Sequence, residues 1–322
     1  MKTKIRVIIA SLIALSPTFA RGENKVTVRF GHFPNVTHAQ GVVAHALSRQ
    51  GKGWYESRLG PDVEIQWFTY NAGPSAMEAM FAGSLDVTYV GQGPALNAYL
   101  RSDGTDIRII SGAATGGAAL VIPLDGQIQS PADFRGKVIG TPQLGNTQDI
   151  SCRAWLKANG FNVTQTGGDV KVLPVANPDQ LGMFQQKQVN AVWTVEPWVT
   201  RLLRKGNGKV FYDEKEVITT WLASSVKFLD GHRDLAKKIV QANSELTEWI
   251  KSHPAEAQKL IVQELEAETR SKVEAESIAE AWKRITFTTE VSPQLTAKAI
   301  TDGKAAGFIK GEADTSKLIV AP

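Results

Sequence analysis

Four short turns place glycine, proline and small polar residues between a strand-like run and a helix-like run. They lie at residues 33–38, 73–75, 91–94 and 145–148. The first backbone amides of a helix have no partner within it, and the helix dipole favours negative charge at that end. Glycine also allows the backbone to approach a bound group closely. Together the four turns predict one cleft in which neutral donors hold a small solute.

The first of these turns contains the segment PNVTH at residues 34–38. This segment is longer than the connection that a strand and a helix require. Thr37 and Gln40 have the spacing of a capping box, in which the hydroxyl accepts from a backbone amide and the third residue on reaches back. Ser75 and Glu78 have the same spacing. We interpret the first turn as a helix start that opens towards the cleft while neighbouring amides stay free for a ligand.

A fifth segment, AVWTVEPWVT at residues 191–200, ends a strand-like run with tryptophans on both sides of Glu196 and Pro197. Trp193 and Trp198 could pack against the organic part of a ligand, and they suit a core equally well. Because a carboxylate would repel an anion, Glu196 either contacts an ammonium group of the ligand or turns away to cap a backbone amide.

The patterns of known catalytic and metal sites are missing from the sequence. The histidines, at positions 32, 38, 45, 232 and 253, show no metal-ligand spacing beyond a possible helical neighbour relation. GTPQLGNT lacks the lysine of a phosphate-binding loop, and GQGPAL lacks the third glycine of a dinucleotide fingerprint. Cys152, the only cysteine, lies on the predicted helix after Gly145, where we expect it to be buried. We expect no enzyme activity, no cofactor and no metal.

The 322 residues include 43% hydrophobic and 21% charged residues, which is typical of globular proteins. Lys2, Lys4 and Arg6 precede an apolar stretch and small residues, which predicts an export signal cleaved after Ala20. Without it the chain has 33 basic and 32 acidic residues, so the overall charge of +4 gives no indication of a nucleic-acid partner. No cysteine follows the signal to carry a lipid, so the mature protein is expected to be free in the periplasm.

Short runs rich in valine, isoleucine and aromatic residues alternate with helix-like segments. They lie at 26–31, 63–70, 86–90, 107–111, 119–123, 137–141, 170–174 and 191–195. After about residue 229 the chain becomes charged, amphipathic and almost free of strand signals. This organisation predicts an α/β fold with mainly parallel sheets and a helical C-terminal third.

Taken together, these motifs resemble the nitrate, sulfonate and taurine branch of the solute-binding proteins of ABC importers. The resemblance rests on VRFGHFPNVTHAQGVVAHAL, YNAGPSAMEAMFAGSLDVTYVGQGPALNAYL, SPADFRGKVIGTPQLGNTQDI and VNAVWTVEPWVTRLL, and it spans residues 26–203. It implies a two-lobed, type II-like periplasmic binding protein fold with two mixed or parallel sheets flanked by helices. One lobe would comprise 21–115 with 220–322 and the other 116–219, closing on a solute that is then delivered to a membrane permease.

The resemblance also implies which residues bind the ligand. These are Phe33, Asn35, Thr37, His38, Ser75, Gln92, Gly93, Asn146, Thr147, Gln148, Trp193 and Glu196. An organic sulfonate is the leading ligand, because its oxygens suit amide donors while Trp193 suits its organic tail. Nitrate, bicarbonate, taurine and a thiamine-pyrimidine precursor stay open. The rival class is a pyrimidine-precursor enzyme of the same fold with a reactive His38 or Cys152, although such enzymes depend on a cysteine-rich motif that this chain lacks.

Overall fold

The computed structural model describes residues 25–322, and the predicted export signal lies outside them. The strands are β1 (Val26–His32), β2 (Val63–Thr69), β3 (Val87–Val90), β4 (Ile107–Gly116), β5 (Ala118–Pro123), β6 (Val138–Thr141), β7 (Lys171–Pro174), β8 (Ala191–Val195), β9 (Gly208–Glu214), β10 (Ile218–Ser225) and β11 (Ile285–Phe287). Among these described residues, no helix is both long and apolar enough to cross a bilayer.

Helices connect the strands and form most of the C-terminal third. They are α1 (Ala39–Arg49), α2 (Trp54–Leu59), α3 (Gly73–Phe81), α4 (Gln92–Arg101), α5 (Thr147–Ala158), α6 (Gln180–Gln185), α7 (Trp198–Lys205), α8 (Val226–Gly231), α9 (Arg233–Ser252), α10 (Pro254–Thr269), α11 (Ala275–Trp282) and α12 (Pro293–Ala306). Short 3-10 turns occupy Val36–His38, Pro131–Phe134 and Asn177–Asp179.

The strands form two separate mixed sheets. The first has the order β11-β4-β10-β3-β1-β2, in which β1 is parallel to β2 and β3 while β10 is antiparallel to β3 and β4. The second has the order β7-β6-β8-β5-β9, in which β6 is parallel to β7 and β8 while β5 is antiparallel to β8 and β9. Each sheet packs its own apolar clusters, which makes two lobes.

The chain passes between the sheets at the end of β4 and again between β9 and β10. Gly116 and Gly117, with φ of 70° and 74°, form the first passage in a conformation that other residues rarely adopt. A β-carbon on Gly116 would lie 2.7 Å from the Arg284 carbonyl oxygen, so this passage also has no room for a side chain. The division into lobes at about residues 115 and 219 stays a proposal.

The α/β prediction, the eight predicted strands and the helical C-terminal third are confirmed. The strands β9, β10 and β11 were not predicted, and all three pair antiparallel to their neighbours. Together with β5, which pairs antiparallel to β8, they make the sheets mixed rather than mainly parallel.

Two predicted helix caps are wrong. Gln40 does not reach back to the helix start, because its amide donates to the Ala113 carbonyl at 2.9 Å and to the Thr247 hydroxyl at 3.2 Å. Helix α3 begins at Gly73, so Ser75 lies inside its first turn and does not cap it.

Candidate ligand-binding site

A small cavity lies between the two lobes and receives residues from both. Its walls are Phe33, Asn35, Thr37, His38, Asn71, Ala72, Gly73, Gly91, Pro94, Asn146, Thr147, Gln148, Asn177, Val195 and Thr219. Its free volume is about 20 Å³, which is enough for one water-sized group. Among the described residues that line it, none is Lys, Arg, Asp or Glu.

Two buried polar atoms of the first lobe are left without a hydrogen-bond partner at this cavity. They are the Thr37 hydroxyl oxygen and the His38 Nδ1 atom. The His38 ring stacks on Phe33 with 4.4 Å between ring centres. Burial, and then the nearby His32, hold the pKa of His38 well below its usual value, so His38 is a neutral group at pH 7. An unsatisfied buried polar atom is costly, and a bound solute would satisfy it.

The second lobe presents the N-terminus of α5 to the cavity. Asn146 caps this helix, because its side-chain oxygen accepts from the Asp149 amide at 2.9 Å. The Asp149 carboxylate turns inward, where it accepts from the Gly145 amide at 3.0 Å and pairs with Arg153 at 3.0 Å. The negative charge next to this helix start is therefore balanced by Arg153, and the start offers neutral groups to the cavity.

The lobes touch each other around the cavity. The Gly93 amide donates to the Thr147 hydroxyl at 3.2 Å, and the Trp198 indole donates to the Asn35 side-chain oxygen at 2.8 Å. The Val36 amide also donates to the Glu196 carbonyl at 3.1 Å. These contacts describe a closed arrangement of the two lobes.

Seven of the twelve predicted site residues line the cavity together. They are Phe33, Asn35, Thr37, His38, Asn146, Thr147 and Gln148. Three of the others do not line it: Gly93 forms the contact between the lobes, the Gln92 oxygen accepts from the Ile218 amide at 3.3 Å, and Ser75 lies on α3. Whether any of these residues binds a ligand stays a prediction.

Trp193 faces the core of the second lobe and does not line the cavity. Its indole donates to the Glu214 carboxylate at 2.9 Å, and its ring meets the edge of Trp155 with 5.9 Å between centres. Every residue of β8 is buried, so the side chains on both faces of that strand are covered. Trp193 is therefore not placed to pack against the organic tail of a ligand in the cavity.

Glu196 is also directed away from the cavity. Its carboxylate accepts from the Thr200 amide and hydroxyl, each at 3.0 Å, and lies 3.4 Å from Arg284. The structure therefore supports the second interpretation of Glu196, in which its carboxylate caps a backbone amide. Burial raises the pKa of Glu196 to about 7, despite the Thr200 hydrogen bonds and Arg284.

Three polar wall residues, Asn71, Asn177 and Thr219, were not predicted. Asn177 precedes a proline, which is typical of a helix cap, but it is the first residue of its 3-10 turn and does not cap it; its side-chain oxygen accepts from Gln180 at 3.0 Å and from Thr194 at 3.3 Å. Thr219 lies on β10, a strand that was not predicted, so its position next to the cavity had no sequence signal. Cys152 is fully buried, as predicted, and burial raises the pKa of its thiol well above the ordinary value.

Comparison with known proteins places the chain in a family. The model of the NMT1-like family matches residues 21–265. The chain belongs to the NMT1-like family. A relative from Brucella abortus (strain 2308), named as a binding protein, is 26% identical over 97% of this chain and 92% of its own length.

Solved structures share the fold at low sequence identity. The alkanesulfonate-binding protein SsuA from Xanthomonas axonopodis pv. citri, bound to MOPS, has a TM-score of 0.76 at 16% identity and covers 93% of this chain and 99% of its own. The nitrate-binding protein NrtA from Synechocystis PCC 6803 has a TM-score of 0.72 at 16% identity, over 90% and 84% of the two chains. The periplasmic binding protein fold and the resemblance to the nitrate, sulfonate and taurine branch are confirmed.

Proposed function

We propose that this NMT1-like protein is the extracytoplasmic receptor of an ABC importer, which captures a small solute between its lobes and delivers it to the membrane permease. The main support is the interlobe cavity, where the Thr37 hydroxyl and His38 Nδ1 are buried without partners. A solute with several acceptor or donor atoms would complete their hydrogen bonding when the lobes close. The names of the relatives and structural neighbours agree with a binding role.

The ligand we propose is a compact oxyanion, with a small sulfonate first and nitrate or bicarbonate as alternatives. Because the closed cavity has free space for only one water-sized group, the lobes must lie slightly further apart in the complex. Neutral amides, hydroxyls and the start of α5 suit the oxygens of an anion without any lysine or arginine. Because Trp193 packs in the core of the second lobe, no tryptophan among the described residues lines the cavity to receive a bulky organic tail. Taurine would find no partner for its ammonium group in Glu196, whose carboxylate caps Thr200.

The test is a thermal-shift and calorimetry panel on the mature chain with methanesulfonate, taurine, nitrate, bicarbonate and a thiamine-pyrimidine precursor. A true ligand at 100 times its dissociation constant adds about 2.7 kcal/mol to the free energy of unfolding. We expect one of the anions to do so, and Thr147→Trp to abolish the effect. Lys157→Trp, at an exposed position on the same helix, is the matched control. No stabilisation by any compound would contradict the proposal.

The enzyme alternative is tested in the same samples, because His38 is an unpartnered buried imidazole in the cavity. A receptor returns the bound compound unchanged after long incubation, and His38→Ala changes only its affinity. Conversion of the compound by the wild type, lost in His38→Ala, would make the protein an enzyme instead.

A further inference from the structure

Two histidines that are 13 residues apart in the chain meet a glutamate, 223 residues after the second of them, behind the wall of the cavity. His32 ends β1, His45 lies on α1, and Glu268 lies in the last turn of α10. His32 Nε2 lies 2.9 Å from His45 Nδ1 and 3.1 Å from Glu268 Oε1, and the latter two atoms are 3.2 Å apart. Three ligand-type atoms therefore form a nearly regular triangle in the interior of the first lobe.

Hydrogen bonds alone do not account for this triangle. His32 Nδ1 faces the Phe33 carbonyl at 3.3 Å, and a proton there leaves only a lone pair on His32 Nε2. His45 Nδ1 has at most one proton but faces three atoms, since Glu264 Oε1 also lies 3.0 Å away. The second oxygen of Glu268 is buried without any partner. If both imidazoles were instead protonated, their N–H groups would point at each other across 2.9 Å.

A metal ion removes this conflict, because it binds lone pairs. Atoms with these separations can all lie roughly 2.0–2.2 Å from one ion just outside their plane, which is the distance that Zn²⁺ adopts to imidazole nitrogen and carboxylate oxygen. Two imidazoles and a carboxylate suit zinc and neighbouring transition metals, whereas Ca²⁺ and Mg²⁺ prefer sites made of oxygens.

Neighbouring groups hold the side chains of His32 and Glu268 in the orientation that such an ion would require. The Phe33 carbonyl orients the His32 ring, and the Thr69 hydroxyl donates to Glu268 Oε1 at 2.8 Å. Supporting hydrogen bonds of this kind fix the ligand geometry at metal sites. The Trp67 ring stacks on His45 with 5.2 Å between centres and covers the site.

We propose that His32, His45 and Glu268 bind a divalent transition metal ion of the zinc class. Glu264 Oε1 accepts from Arg49 Nε at 2.8 Å and lies 3.0 Å from His45 Nδ1, at the edge of the site. The ion joins the end of α10 to β1 and α1. Because His32 directly precedes Phe33, the ion also fixes the start of the cavity wall at residues 33–38.

The test is metal binding by the full mature chain after removal of metals with EDTA and dialysis. We expect one Zn²⁺ per chain by elemental analysis, a higher melting temperature with Zn²⁺, and no such rise with Ca²⁺ or Mg²⁺. His45→Ala and Glu268→Gln should each weaken Zn²⁺ binding at least about tenfold in competition with a chromophoric chelator. His232→Ala, which removes an exposed histidine, is the control and should bind like the wild type.

Three results would overturn the site. These are no zinc bound by the wild type above the level of nonspecific binding, equal stabilisation by Ca²⁺, and zinc binding unchanged in both variants. Glu268→Gln keeps the shape of the side chain, so it serves if His45→Ala does not fold. If neither variant folds, the stoichiometry and metal preference of the wild type decide.

Discussion

The Gly93 amide donates a hydrogen bond to the Thr147 hydroxyl at 3.2 Å, and this contact joins the start of a helix in one lobe to the start of a helix in the other. A β-carbon on Gly93 would lie 3.1 Å from both the amide nitrogen and the α-carbon of Thr147. Backbone atoms cannot rotate away as the end of a side chain can, so the absence of a side chain at position 93 allows the lobes to approach this closely.

Gly93→Ala should therefore hinder closure without harming either lobe. We expect about tenfold weaker binding of the preferred solute by calorimetry, and a larger radius of gyration of the liganded protein by X-ray scattering. Gly182→Ala on α6 is the matched control, because a β-carbon there meets nothing within 4 Å. Unchanged affinity in Gly93→Ala would show that closure does not require this contact.

The buried Glu214 predicts that stability decreases as pH rises. Burial raises the pKa of Glu214 to about 7 from an ordinary 4.5, even though Trp193 donates to the carboxylate and Lys298 faces it. A raised pKa favours the protonated acid in the folded state, so the stability from this group is complete below about pH 4.5 and is lost as pH rises through about 7. Asp302 also faces Glu214, and its negative charge raises the pKa of Glu214 further.

Glu214→Gln should remove this part of the pH dependence. We expect the decline in the free energy of unfolding between pH 5 and pH 8, measured with urea, to shrink by about 2–3 kcal/mol. Glu196 should continue to contribute to the decline, because burial raises its pKa to about 7 as well. Glu216→Gln, at an exposed neighbouring position, should leave the decline unchanged. An unaltered pH profile in Glu214→Gln would mean that Glu214 is not buried as an acid.

The fold and most of the cavity wall can be predicted from the sequence, because both depend on local patterns. Strand ends followed by glycine and helix starts predict the turns around Phe33–His38 and Asn146–Gln148, and parallel strands bring such turns to one edge. Trp193 could not be assigned in this way, because its partner Glu214 lies on β9, a half-exposed edge strand with no clear alternation. The His32, His45 and Glu268 cluster has no sequence signal at all, since its members are 13 and 223 residues apart along the chain.

Asp86 ends the motif at residues 82–86, which is part of the family resemblance, and its role is structural. The carboxylate of Asp86 accepts from the Arg29 amide at 2.9 Å and from the Arg29 guanidinium at 2.8 and 2.7 Å, and so joins β1 to β3. Hydrogen bonds to charged groups stabilise by about 1.5–3 kcal/mol. Asp86→Ala should thus lower the free energy of unfolding by about 2–3 kcal/mol in urea titrations.

Asp234→Ala is the control for this measurement. Asp234 pairs with Lys237 at 3.8 Å, but its side chain is 97% exposed, so the loss should be within about 0.5 kcal/mol. Equal effects of the two substitutions would show that the Arg29–Asp86 pair does not hold the strands together.

The sharpest test of the cavity is Thr37→Val, which keeps the shape of the side chain and removes only the hydroxyl. Because that buried hydroxyl has no partner, the ligand-free protein should be as stable as the wild type or more stable. Binding of the preferred solute should nevertheless weaken about 5- to 10-fold, which corresponds to roughly 1 kcal/mol. Thr200→Val is the matched buried threonine, and it should behave in the opposite way. It loses the hydrogen bond to Glu196 at 3.0 Å, so it should destabilise the ligand-free protein and leave affinity nearly unchanged. If Thr37→Val instead lowers stability and binds normally, Thr37 belongs to the framework of the lobe and not to the ligand site.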